Sequence, residues 1–179
     1  MIPIYEPDLE TLVKKNVKAG RLSFTTNLKD AVEKSDVVFI AVNTPPQPDG
    51  KADLSYVARA AQAIAEASKK YKIVVDKSTV PVQTGERVKE TIKRHRKHDV
   101  NFDVVSNPEF LREGSAIKDF LKPDRIVVGV ESKRAEKVMR EIYAPINAPF
   151  IVTDVKSAEL IKHASNSFLA TKISFANAL

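Results

Sequence analysis

Short apolar runs alternate along this chain with longer stretches in which apolar residues recur every three or four positions. Over residues 8–19, Leu9, Leu12, Val13 and Val17 share one helical face, and Gly20 supplies a stop. Residues 22–25 predict a short strand, and Asn27 the N-cap of a short helix. The unbroken apolar run 37–42 predicts a parallel strand buried on both faces. Pro45, Pro46, Pro48 and Gly50 then exclude regular structure from residues 43–51. Asp53 stands where it caps an alanine-rich helix reaching Lys69, with Leu54, Val57, Ala61, Ile64 and Ala65 as its buried stripe. Further strands are predicted at 73–78, 102–105, 125–130 and 150–152, and helices at 84–95 and 132–143. From Val155 to the end at Leu179 the pattern is helical, with no glycine or proline to stop it.

Strand and helix alternating in this way predict an α/β fold: a doubly wound, mostly parallel Rossmann-like sheet with right-handed crossovers, ending in a long helix. In such sheets ligands lie at the carboxyl ends of the strands, so the loops after Val42, Asp76 and Val105 are the places to look for chemistry. Composition narrows the classes. With 179 residues, 43% hydrophobic and 29% charged, the chain suits one globular domain rather than a disordered one. Its apolar runs fall far short of the ~20 residues that span a bilayer, so no membrane partner is expected. No leader pattern opens the chain, and the expected location is the cytoplasm. The absence of cysteine excludes disulfides, thiolate metal sites and a cysteine nucleophile within these residues, and no metal is expected. The five glycines, at 20, 50, 85, 114 and 129, are too scattered for a glycine-rich phosphate loop. The net charge of +6 includes a cluster from Lys93 to His98. It closes a helix whose C-terminal dipole favours cations, and no aromatic residues interleave it, so no nucleic-acid partner is expected.

Each of the three strand-end loops carries unusual residues. Val42 is followed by Asn43, Thr44, Pro45 and Pro46, an amide and a hydroxyl before two prolines that stiffen the turn. Ser78 and Thr79 place two hydroxyls after the strand ending near Asp76. After Val105 come Glu109, Phe110, Leu111, Arg112 and Glu113, with two carboxylates four residues apart. On the last helix, Lys162 and Asn166 are also four apart and share a face. Ordinary roles exist for each: turn capping for Thr44, Ser78 and Thr79, surface ion pairs for the two glutamates, solvated positions for Lys162 and Asn166.

Taken in order, VNTPP (42–46), DKSTVPV (76–82), NPEFLREG (107–114), PDRIVVG (123–129) and SAELIKHASNSFLA (157–170) resemble the nucleotide-sugar 6-dehydrogenases, and IPIYEP (2–7) resembles a segment inside that family's first domain. The resemblance covers essentially the whole chain. It implies two successive hydride transfers from C6 of a nucleotide sugar to NAD, giving a uronic acid. By the same resemblance Val42, Asn43, Thr44, Pro45, Ser78, Thr79 and Glu113 contact the cofactor, and Glu109, Phe110, Leu111, Arg112, Glu113, Lys162 and Asn166 line the substrate site. Lys162, with Asn166, would stabilise an oxyanion at C6, and Glu109 would be the general base of a final hydrolysis. Thr79 and Glu113 would hold the catalytic water. KSTVPV favours the UDP-glucose branch, with GDP-mannose and UDP-N-acetylmannosamine oxidisers as alternatives.

Departures accompany the likeness. The family's glycine-rich dinucleotide loop and catalytic cysteine are expected before Met1 and after Leu179, which makes residues 1–154 a truncated dinucleotide-binding domain. Residues 155–179 would begin a central helix leading to a second domain, and an isolated, non-catalytic binding or assembly module is the alternative reading. Asp8 and Gln83 stand where the family commonly has glycine. Without the family's first two strands, the apolar strand at 37–42 would have an open edge. Residues 22–25 could close it from within; otherwise a second copy or a complementing chain would, so a homodimer or higher oligomer is expected.

Overall fold

The computed structural model describes residue 2 and residues 4–179. In chain order the elements are α1 (Leu9–Lys18), α2 (Leu28–Lys34), β1 (Val37–Ile40), α3 (Ser55–Ala67), β2 (Lys72–Asp76), α4 (Thr84–His95), β3 (Phe102–Ser106), α5 (Ala116–Leu121), β4 (Ile126–Gly129), α6 (Lys133–Tyr143), β5 (Phe150–Thr153) and α7 (Val155–Ala178). The strands form one sheet in the order β1-β2-β3-β4-β5. The β1–β2, β2–β3 and β4–β5 pairs are parallel, while β4 meets β3 antiparallel at the single pair Ser106 and Gly129. The expected α/β, mostly parallel Rossmann-like architecture is therefore present, ending in the long helix.

β2 is buried along its whole length, and its side chains alternate between the two faces of the sheet. Val74 joins the layer with Val57, Ala61 and Ile64 of α3 and Val88 and Ile92 of α4. Ile73 and Val75 join the other layer, with Val128, Ala135, Met139 and Tyr143. The caps follow local chemistry. Asn27 accepts the Asp30 N–H, Ser132 the Ala135 N–H and Asp154 the Ser157 N–H, each a side-chain oxygen filling an orphan donor at a helix start.

Three expectations need correction. Residues 22–25 are irregular rather than a strand, and Phe24 points into solvent; among the described residues no strand pairs with them in a hydrogen-bond ladder. β1 is consequently an edge strand, and the closure from within does not form. The alanine-rich helix starts at Ser55 and stops at Ala67, with Leu54 as N-cap; Asp53 instead accepts the Ser55 N–H at 2.9 Å from one position further out. Finally, 116–121 form a helix that the pattern does not predict. Its start is held from afar by Glu6, whose carboxylate accepts the N–H groups of Ala116 at 2.7 Å and Gly114 at 3.0 Å.

α7 lies directly on the sheet because two glycines leave room for it. A Cβ on Gly129 would stand 2.7 Å from the Ala158 Cβ, and one on Gly85 2.5 Å from the Val155 Cγ1. This close approach carries Lys162, two turns into α7, over the carboxyl ends of β2 and β3.

Candidate active site

A groove of about 530 Å³ opens beyond the carboxyl ends of β2 and β3, between the 107–112 segment, α5, the start of β4 and α7. Its floor is ionic. Lys162 is buried, and its Nζ lies 3.1 Å from Glu109 Oε1. The Thr79 hydroxyl donates to the same oxygen at 3.3 Å. Glu109 Oε2 is buried without a hydrogen-bond partner among the described residues. Beside this pair, Lys77 donates from Nζ to the carbonyl oxygen and to Oδ1 of Asn107, both at 3.3 Å. Burial pushes the Lys77 ammonium down to about 8; the Glu109 charge opposes the shift and Lys162 adds to it.

Asn107 is the keystone of the turn that presents Glu109. Its N–H donates to Asp76 O at 2.9 Å, its side-chain amide donates to Val127 O at 2.9 Å, and its Oδ1 accepts the Tyr143 hydroxyl. Strand β2, strand β4 and helix α6 thus all converge on one buried residue, and Pro108 then fixes the chain direction into Glu109. The wall is aromatic and cationic: the Phe110 ring lies 4.5 Å from the Arg125 guanidinium and 5.4 Å from Lys162 Nζ. Arg112 forks onto Asp119, Nη2 to Oδ1 at 2.8 Å and Nε to Oδ2 at 3.0 Å, and holds that carboxyl well below the usual carboxylate range.

Next to the groove, the loops after β1 and β2 are stapled together. Ser78 Oγ accepts the Val42 N–H at 3.0 Å and donates to Val42 O at 2.9 Å, while the Thr44 hydroxyl donates to Thr79 O at 2.9 Å. Asn43 and Pro45 remain exposed on the outer side. Beneath this staple sit two buried carboxyl groups. Burial lifts Asp76 to about 7, against the Ser78 N–H bond that lowers it and with help from the Glu159 charge. Burial also raises Glu159, which accepts the N–H groups of Gln83 and Gly85, both at 2.7 Å, at the start of α4.

A model of the UDP-glucose/GDP-mannose dehydrogenase family, NAD binding domain, matches residues 1–147. The chain belongs to this family. It is 51% identical over 177 residues to the UDP-glucose 6-dehydrogenase TuaD of Bacillus subtilis (strain 168), covering 99% of this chain and 38% of that protein. Among solved structures, a UDP-glucose dehydrogenase from the archaeon Pyrobaculum islandicum superposes with a TM-score of 0.95 at 48% identity, over 98% of this chain and 41% of that one. The GDP-mannose dehydrogenase of Pseudomonas aeruginosa gives 0.93 at 40% identity, over 98% of this chain and 42% of that one. The chain thus spans about two fifths of the length of the relatives it matches.

Against the family pattern, the structure brings Thr79, Glu109 and Lys162 into one contact and sets Phe110, Leu111, Arg112 and Asn166 around the same groove. Glu113 stands exposed outside the groove lining. The hydroxyls of Ser78 and Thr44 serve the loop staple, which leaves Asn43 and the loop backbone as the outward-facing polar groups beyond the carboxyl end of β1. An exposed amide and a stiff, polar loop at a strand's carboxyl end fit one part of a dinucleotide. Sequence reasoning passed over Lys77, Asn107 and Arg125. Lys77 left one usable signal, a lysine directly after the strand-end Asp76 at the start of the loop that carries Ser78 and Thr79.

Proposed function

We propose that this chain forms the NAD-binding domain and part of the sugar site of a UDP-glucose 6-dehydrogenase, which oxidises UDP-glucose to UDP-glucuronate. The observation that carries the reading is the pairing of buried Lys162 with half-buried Glu109 at 3.1 Å on the floor of a groove at the sheet's carboxyl end. NAD, when bound, accepts the hydride. Asn43, Pro45 and the backbone of 42–45 would hold it, with Ser78 and Thr44 fixing that loop. Lys162 stabilises the oxygen at C6 as it gains negative charge, Asn166 orients the sugar from one turn further along α7, and Glu109 takes the proton from the hydrolytic water. Thr79 holds the Glu109 carboxylate in place, and Glu113 would need to turn inward to share the water. Phe110, Leu111, Arg112 and Arg125 would face the nucleotide diphosphate.

Residues 155–179 would begin the helix that joins this domain to one carrying the cysteine. Because the 179 residues contain no cysteine, covalent capture of the aldehyde has no nucleophile here, and the chain alone is expected to give no turnover. The reading places the protein in the cytoplasm; no helix among the described residues is long and apolar enough to cross a membrane. It also makes the protein a dimer or higher oligomer, because Phe168, Leu169, Ile173 and Phe175 of α7 are exposed and β1 is an unpaired apolar edge. Sedimentation at micromolar concentration should show a species heavier than the 19.8 kDa chain; a single monomeric species would contradict this.

Substrate choice is tested with a chimera in which these 179 residues replace the matching segment of the Bacillus subtilis enzyme. NADH should form with UDP-glucose. Formation with GDP-mannose or UDP-N-acetylmannosamine instead would move the assignment to those branches.

A further inference from the structure

Lys77 has no assigned part in this site, yet its ammonium group lies in the groove wall beside Glu109 and Lys162. Its backbone is fixed by the bond from its N–H to Ile40 O at 2.9 Å, so the side chain swings from a rigid base. Both of its hydrogen bonds go to Asn107, and at 3.3 Å both are longer than the usual 2.7–3.2 Å for N–H···O. Asn107 keeps its place without them, since Val127, Tyr143 and Asp76 satisfy its amide, its Oδ1 and its N–H; only its carbonyl oxygen, to which Lys77 is the sole donor among the described residues, would give up a bond. An ammonium group has three N–H donors, so Lys77 keeps at least one to spare.

Glu109 shows the complementary deficit. Oε1 serves both Lys162 and Thr79, while Oε2 is buried with no donor among the described residues. A carboxylate with one buried oxygen in that state is costly, and it becomes costlier if its one ion-pair partner leaves. Stabilising an oxyanion requires Lys162 to do that, in whole or part. Two ammonium groups and one carboxylate leave the floor with one excess positive charge, which one transient oxyanion would balance.

We propose that Lys77 is a positioning residue that moves from Asn107 onto Glu109 Oε2 when Lys162 turns to the substrate oxyanion. No proton moves in this exchange: Glu109 stays ionised and paired, and Lys162 is freed for the reacting atom. Burial is the main reason the Lys77 ammonium is less basic than usual; Glu109 acts against that lowering and Lys162 with it, so both charges reach the Lys77 ammonium. The inference rests on the role given to Lys162 above, but its first test does not involve catalysis.

In the 179-residue chain, Lys162→Met removes the competitor without adding charge. A crystal structure of that variant should show Lys77 Nζ bonded to Glu109 Oε2 and released from Asn107. Carbon NMR of the labelled lysines should show the Lys77 titration midpoint rising on Lys162→Met by more in the Glu109 background than in a Glu109→Gln background. Lys77 still on Asn107, with the same rise in both backgrounds, overturns the proposal, because loss of repulsion alone then explains it. Should Lys162→Met fail to fold, Lys162→Gln serves the same cycle. In the chimera, Lys77→Met should lower kcat by about tenfold or more with KM little changed, and Lys77→Arg should restore part of it. An unchanged kcat overturns the proposal while leaving the dehydrogenase reading intact. Absence of any turnover in the unsubstituted chimera would instead sink that reading, and the structural and NMR arms would still decide the exchange.

Discussion

Asp76 closes β2 with a carboxyl group that is 2% exposed, and its effect on stability has a definite sign. Burial raises it from 3.8 to about 7. Below about pH 4 it is protonated whether the chain is folded or not. Between about pH 4 and 7 the unfolded chain gives up a proton that the folded chain keeps, so stability falls as pH rises. At 1.36 kcal/mol per pH unit the window carries up to about 4 kcal/mol. Glu159, raised by burial as well, acts in the same direction. Lys77 acts oppositely, but only between about 8 and 10.5, where the unfolded ammonium still holds its proton. Denaturant unfolding should therefore show Asp76→Asn gaining on the unsubstituted chain between pH 5 and 7.5; a difference independent of pH would contradict the assignment. Gln83 supplies a second prediction at this scale. It and Asp8 hold φ of 76° and 65°, a left-handed backbone that costs a side-chain-bearing residue about 1–2 kcal/mol. Gln83→Gly should stabilise by up to about 1 kcal/mol after the added chain entropy is deducted, read as a raised denaturation midpoint. These are the two positions where the sequence departs from the family's glycines, and the backbone shows why glycine suits them.

At the scale of elements, most of the fold was legible because its signals are local. Apolar runs marked β1 to β5, helical spacing marked α1, α3, α4 and α6, and Asn27 announced α2. Two of the three misreadings fell where the outcome depends on something far away; the third, Asp53 as the cap of α3, missed by one position. Residues 22–25 have strand-like composition but are not brought alongside the free edge of β1, and α5 depends on Glu6, more than 100 positions earlier. The placement of α7 depends equally on distant glycines, which no periodicity reveals. Gly129→Ala sets a methyl group 2.7 Å from both Ala158 Cβ and Asp154 O, so α7 must lift from β4. A loss of about 1–3 kcal/mol is expected, measured by chemical denaturation, together with a longer Lys162–Glu109 distance in the variant's structure. An unshifted α7 would show that the helix is not seated by these glycines.

For the whole molecule, the sheet sets the stage and three separate segments meet on it. The sequence made Glu109 and Lys162 visible as a motif resemblance. Their contact across more than 50 residues, and the buried Asn107 that aims Glu109, emerge only when β2, β4, α6 and α7 converge. Lys77 stayed hidden because a lone lysine at a strand end carries no periodic signal. The central claim is that Lys162 and Glu109 perform separate steps of one oxidation. It is tested most directly by steady-state and single-turnover kinetics of the chimera with UDP-glucose. Lys162→Ala should lower kcat by about a hundredfold or more, the loss of a charge aimed at an oxyanion. Glu109→Gln should leave the first NADH burst in place and let the covalent intermediate accumulate before the acid is released. Near-unchanged turnover in both variants would contradict the account.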